Sequence, residues 1–165
     1  GNIGRRVAEI ARGFGMEILV AARPENNASV ISHRVPINDL LHQADVVSLH
    51  CPLTPETKNL INRSSLSLMK PTAFLINTAR GALVDEAALI EALRQKRIAA
   101  AALDVISKEP PPADYPIIQA AKELDNLIVT PHTAWSAREA RERLLHEVKE
   151  NIAAFLENEP RNLVA

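Results

Sequence analysis

The chain has 165 residues, 47% of them hydrophobic, and a formal net charge of −1. That is enough apolar material for one domain with its own core and too much for a disordered chain, and the near-neutral charge argues against a nucleic-acid partner. The single cysteine, Cys51, rules out an intrachain disulfide and fits a reducing, cytoplasmic compartment, and no apolar run approaches the length of a membrane span.

No stretch has the pattern of a secretory signal peptide. The opening Gly1-Asn2-Ile3-Gly4, without a methionine, leads us to expect a piece of a longer subunit. It starts a helix with Ile3, Val7, Ile10, Ala11 and Phe14 on one face, ended by Gly13 and Gly15. Gly1-x-x-Gly4 matches the last two glycines of a G-x-G-x-x-G dinucleotide fingerprint. Glycine lets backbone approach a pyrophosphate, and the N–H groups of Asn2 and Ile3 at a helix start favour the anion. An ordinary glycine-bearing helix start is the plain alternative. A strand over 17–22 follows. Its end carries Ala22 and Arg23 where NAD-selective sites place an acid for the ribose 2′-hydroxyl. Arg23 would attract a 2′-phosphate, so NADP is expected to be tolerated or preferred; otherwise Arg23 is a solvated loop residue.

A polar loop over 23–36 leads to a helix over 37–43 and a strand over 46–49. The loop over 50–57 contains Cys51, Pro52 and Pro55, and its prolines forbid regular structure. It lies beyond a strand's carboxyl end, suited to wall an adenine pocket. Asn62 is placed to cap a helix over 63–69, stopped before Pro71. The apolar run 73–76 reads as a buried strand and delivers Asn77-Thr78-Ala79-Arg80-Gly81. A helix over 85–95 comes next. The run 98–103 is alanine-rich and helical by propensity, but alternation with flanking helices makes it a strand. It ends at Asp104 and runs on to Glu109 and three prolines. A helix over 117–122 and a strand over 127–129 precede Thr130-Pro131-His132-Thr133-Ala134-Trp135. Ser136 with Glu139 forms a capping box, and the closing helix reaches about residue 158 with Ala137, Leu144, Val148, Ile152 and Phe155 aligned. The alternation predicts an α/β doubly wound parallel sheet of Rossmann type over 1–165, lacking its first strand and a substrate domain.

Arg80, Glu109 and His132 each follow a consecutive strand, on the edge where open α/β sheets bind ligands. Taken singly, each is an ordinary surface or structural residue. Together they suit hydride transfer to a ketone beside a carboxylate. A histidine near neutral pKa gives the alkoxide its proton and takes it back in reverse. A neighbouring carboxylate raises that pKa and fixes the ring. The planar, always charged guanidinium matches the substrate carboxylate. Asp104 is suited to accept from a nicotinamide carboxamide, or else simply caps its strand.

Five stretches, in this order, closely resemble the D-isomer-specific 2-hydroxyacid dehydrogenases: Gly-Asn-Ile-Gly-Arg-Arg-Val, Ala-Asp-Val-Val-Ser-Leu-His-Cys-Pro-Leu-Thr, Leu-Ile-Asn-Thr-Ala-Arg-Gly, Ala-Leu-Asp-Val with Glu-Pro, and Val-Thr-Pro-His-Thr-Ala-Trp. The resemblance implies that Arg80 binds substrate, Glu109 tunes the histidine and His132 is the acid/base. It implies cofactor roles, for NAD or NADP, at Gly1, Asn2, Ile3, Gly4, Cys51, Pro52, Thr78, Ala79 and Asp104; Arg23, Thr57 and Ala134 are further candidate cofactor contacts. It also implies a homodimer. The His-Thr-Ala-Trp ending and the Glu-Pro-Pro-Pro run look most like bacterial glycerate dehydrogenases, also called hydroxypyruvate reductases. The expected reaction is reduction of hydroxypyruvate or glyoxylate to D-glycerate or glycolate. Absence of the acid after the second strand departs from the family pattern and leaves NAD selectivity open. Rival readings are formate or phosphite oxidation, the first disfavoured by the acid at Glu109, and a non-catalytic NAD(H)-sensing module like the corepressors of this fold.

Overall fold

The computed structural model describes residues 1–22 and 34–163. They form two compact units, Gly1–Pro131 and His132–Ala165.

The first unit opens with α1 (Asn2–Gly13) and two short strands, β1 (Val20–Ala21) and β2 (Arg34–Val35), paired in parallel. α2 (Ile37–Gln43), β3 (Val46–Leu49), α3 (Arg63–Leu68), β4 (Phe74–Asn77), α4 (Glu86–Arg94), β5 (Ala100–Leu103), α5 (Pro116–Glu123) and β6 (Leu127–Val129) follow. Strands β3 to β6 make a parallel sheet in consecutive order, with Val46 opposite Phe74 and Phe74 opposite Ala100. The β-α alternation of the sequence thus folds as a wound parallel sheet. One sheet face is sealed: Val47, Leu49, Leu75, Ala101, Leu103 and Leu127 are buried, with Leu41, Leu66, Leu89, Leu93 and Ile117 from α2 to α5. Alanines in β5 let the helices close on a strand held on both sides. That tertiary pairing overrides alanine's helix propensity.

Local chemistry sets the element ends. Asn62 accepts from the backbone N–H of Ser64 (2.9 Å) and Ser65 (3.1 Å), while Ser65 Oγ accepts from the Asn62 N–H, a reciprocal cap for α3. Asp85 caps α4 through Ala88 N–H at 3.0 Å. Pro116 occupies the first turn of α5, where its missing N–H costs nothing.

Three expectations need correction. The strand expected over 17–22 is only Val20–Ala21. Of the loop expected over 23–36, residues 23–33 lie outside the described residues, and Arg34–Val35 is not loop but β2, because it finds a parallel partner in β1 that composition does not reveal. In the second unit, α6 (Arg138–Leu156) has Ala137 at its N-cap with no side-chain cap. Ser136 Oγ instead donates to the Thr133 carbonyl at 2.7 Å, so the Ser136–Glu139 capping box does not form. Among the described residues no helix is long and apolar enough to cross a membrane.

Candidate active site

The carboxyl ends of β4, β5 and β6 are stitched together. Asp104 N–H donates to the Asn77 carbonyl and Thr130 N–H to the Leu103 carbonyl, each at 2.9 Å. Just beyond β4 the chain must leave the sheet, and the Asn77 side chain governs how. Fully buried, it accepts from Ala79 N–H (3.0 Å) and donates to the Arg80 carbonyl (2.9 Å). Thr78, Ala79 and Arg80 are therefore held as a tight turn, with the Arg80 guanidinium exposed and its Nη1 donating to the Ala79 carbonyl at 2.7 Å.

Gly81 comes next and is buried. A methyl group there would overlap the carbonyl carbon and oxygen of Ile106 and the nitrogen of Ser107. Only glycine permits this backbone-on-backbone approach. The segment it meets belongs to the turn carrying Glu109, whose Oε1 accepts from Ile106 N–H at 3.0 Å. Ser107 N–H donates to Glu86 Oε1 at 2.6 Å, tying the same turn to the first turn of α4. Burial and the Glu86 carboxylate push the Tyr115 phenol above its usual range. Arg80 and Glu109, both exposed, thus stand on two turns in van der Waals contact. Asp104 lies buried between the strand ends, with the Thr130 hydroxyl donating to its Oδ1.

Among the described residues, none caps the start of α1 at Gly1 with its side chain. The N–H groups of its first turn and the positive end of the helix dipole fit a pyrophosphate there. Gly4 sits against His50, whose Cβ would lie 3.2 Å from an added methyl. His50 Nε2 is 2.9 Å from Ser48 Oγ. Burial lowers the His50 pKa. Cys51 and Pro52 follow, with burial raising the Cys51 thiol. Thr57 is buried and holds the loop: its hydroxyl accepts from Thr54 N–H (2.7 Å) and donates to the Pro52 carbonyl (2.8 Å). These bonds brace the loop that carries Cys51 and Pro52.

His132 opens the second unit. Its φ of 53° is left-handed, a conformation that costs a non-glycine residue on the order of 1 kcal/mol. The Trp135 indole holds it there by donating to the His132 carbonyl at 2.9 Å. The Thr133 carbonyl accepts from Ser136 N–H at 2.9 Å, closing the turn over Ala134. Arg23 lies outside the described residues.

Residues 1–134 match the NAD-binding domain of the D-isomer-specific 2-hydroxyacid dehydrogenases. The chain belongs to this family. Glycerate dehydrogenase of Methylorubrum extorquens is 42% identical over 165 residues, covering 99% of this chain and 50% of the relative. Glyoxylate reductase of Aeropyrum pernix is 44% identical over 168 residues, covering 99% of this chain and 49% of the relative. Among solved structures, an acyclic imino acid reductase in complex with NADPH and D-Arg superposes with a TM-score of 0.85 at 41% identity, over 100% of this chain and 51% of that one. The chain spans about half the length of the relatives it matches. Within this dehydrogenase domain, sequence reasoning named Arg80 and Glu109 but gave no role to Asn77, Gly81, Glu86 or Thr130. Asn77 did carry a signal: it is a polar residue in the inward phase of an apolar strand.

Proposed function

We propose that the full-length protein transfers a hydride between NAD(P)H and a small 2-oxoacid, with hydroxypyruvate or glyoxylate as substrate and D-glycerate or glycolate as product. The observation that carries this is the packing of Gly81 on the Ile106–Ser107 backbone, which sets the Arg80 and Glu109 turns side by side at the carboxyl ends of neighbouring strands. The bound dinucleotide supplies the hydride. Gly1, Asn2, Ile3 and Gly4 receive its pyrophosphate, Cys51 and Pro52 wall its adenine end on the loop Thr57 braces, and the Thr78, Ala79 and Ala134 backbone borders its nicotinamide end. Asp104 accepts from the carboxamide N–H. Arg80 pairs with the substrate carboxylate and so presents the ketone in one orientation. As the carbonyl carbon gains hydride its oxygen becomes an alkoxide, and His132 delivers the proton, with Glu109 favouring the charged ring.

Arg23 and the NADPH bound by the imino acid reductase support acceptance of NADPH beside NADH. The chain is read as one domain of a two-domain subunit that forms a homodimer, a reading supported by the large apolar side chains it exposes. Its lone cysteine supports a reducing compartment, the cytoplasm.

The test is oxidation of NADH and NADPH by the full-length protein with hydroxypyruvate and glyoxylate. Turnover is expected, and His132→Ala should lower kcat by about a hundredfold or more while leaving dinucleotide affinity intact. No turnover with any 2-oxoacid would instead favour a nucleotide-sensing module. A matching loss of dinucleotide affinity in His132→Ala would make that residue structural.

A further inference from the structure

We propose that Asn77 is the positioning residue of the 2-oxoacid site: its carboxamide, not the Arg80 side chain's own contacts, fixes where the guanidinium starts from. The inference rests on the reading of Arg80 as the carboxylate partner.

A guanidinium binds a carboxylate well only when its planar fork is aimed before the ligand arrives. Arg80 is exposed and has a long side chain, so its own rotamers do little to aim it. Its backbone must do so. Both ends of the Ala79–Arg80 pair are held by one side chain. Asn77 Oδ1 accepts from Ala79 N–H at 3.0 Å and Asn77 Nδ2 donates to the Arg80 carbonyl at 2.9 Å. Asn77 itself cannot drift. It is 0% exposed, lies in register opposite Leu103 in β5, and its carbonyl takes the Asp104 N–H at 2.9 Å. The turn therefore inherits the rigidity of the sheet centre. Beyond it, Gly81 locks against Ile106 and Ser107, so the frame that aims Arg80 also borders the Glu109 turn.

The function needs one donor and one acceptor on the same planar group. Only asparagine supplies both here at neutral pH. Aspartate keeps the acceptor, but when ionised it turns an oxygen lone pair toward the Arg80 carbonyl. When protonated it restores the donor. Burial raises an introduced carboxyl's pKa, which brings this protonation into a workable range.

The experiment uses the full-length protein and the variants Asn77→Asp, Asn77→Ser and Arg80→Lys. Three quantities are measured: KM for hydroxypyruvate, kcat, and the dissociation constant of NADH by fluorescence. Asn77→Asp should raise KM about tenfold at pH about 8, with NADH affinity nearly unchanged, and the ratio to wild type should shrink toward one near pH 5.5. Asn77→Ser, which offers Ala79 N–H an oxygen but cannot reach the Arg80 carbonyl, should show the rise without the recovery. If KM stays within twofold of wild type in both variants, or NADH affinity falls in step with KM, the proposal is overturned. If neither variant folds, Asn77 serves stability and the proposal falls as well. Arg80→Lys separates this from the larger reading. A raised KM in Arg80→Lys alone sinks only the role of Asn77, whereas an unchanged KM in Arg80→Lys removes the carboxylate partner on which that role depends.

Discussion

His50 follows β3 directly, with its ring beside Gly4 and its Nε2 within reach of Ser48 Oγ. Burial lowers its pKa in the fold, so the unfolded chain takes up the proton more readily than the folded one. Stability from this group is then complete above the ordinary imidazole value of about 6.5 and is lost as pH falls below it. Thermal melting followed between about pH 7.5 and pH 5.5 should show the wild-type midpoint falling with acid. In His50→Gln, where no ring titrates, the fall should be shallower over the same window. Parallel curves for the two proteins would remove His50 as the source. The neighbouring roles differ in how far residue type reveals them. Arg80, Glu109 and His132 could be proposed from residue order alone, because each is a charged or titratable group placed just beyond a strand's carboxyl end. Asn77 and Thr130 act by short-range hydrogen bonds whose partners, Ala79, Arg80 and Asp104, are fixed only once the strands align.

Between elements, the feature of most consequence is the contact of the turn after β4 with the turn after β5. A methyl on Gly81 would fall onto the Ile106 carbonyl and the Ser107 nitrogen, which are backbone atoms and cannot rotate away. Gly81→Ala is therefore expected to cost about 1–3 kcal/mol or more, read as a lower urea midpoint at unchanged slope. A midpoint equal to wild type would mean the two turns separate freely. The sequence carries half of this contact: a glycine after an arginine at a strand end is visible, but its target in another loop is not. Other elements divide in the same way. The caps at Asn62 and Asp85 follow from side chains that reach their own helix starts. β2 depends on β1, and the start of α6 at Ala137 depends on a turn in which the Thr133 carbonyl captures the Ser136 hydroxyl. Local chemistry is readable from residue order, and partner choice across the chain is not.

At the scale of the molecule, the first unit has one sealed and one open sheet face. Phe74 is 49% and Ile128 62% exposed, and register places them on the same side with Val46, Ile76 and Ala102. α1 adds Ile3, Val7 and Ile10, spaced along one side of the helix, and Phe14 follows at its end, all exposed. Stable monomers seldom present large apolar patches, and such patches are usually covered by another chain or segment. The 165-residue chain by itself should therefore self-associate and bind a hydrophobic dye, and sedimentation velocity should show species above the monomer that grow with concentration. Replacing Phe74 and Ile128 together by threonine keeps β-propensity while removing apolar area from the open face, so dye binding and association should both fall without loss of the parallel sheet. A monodisperse monomer that ignores the dye would show that this face is not in fact presented to solvent. Equal association in the double variant would place the sticky surface on α1 instead of the sheet.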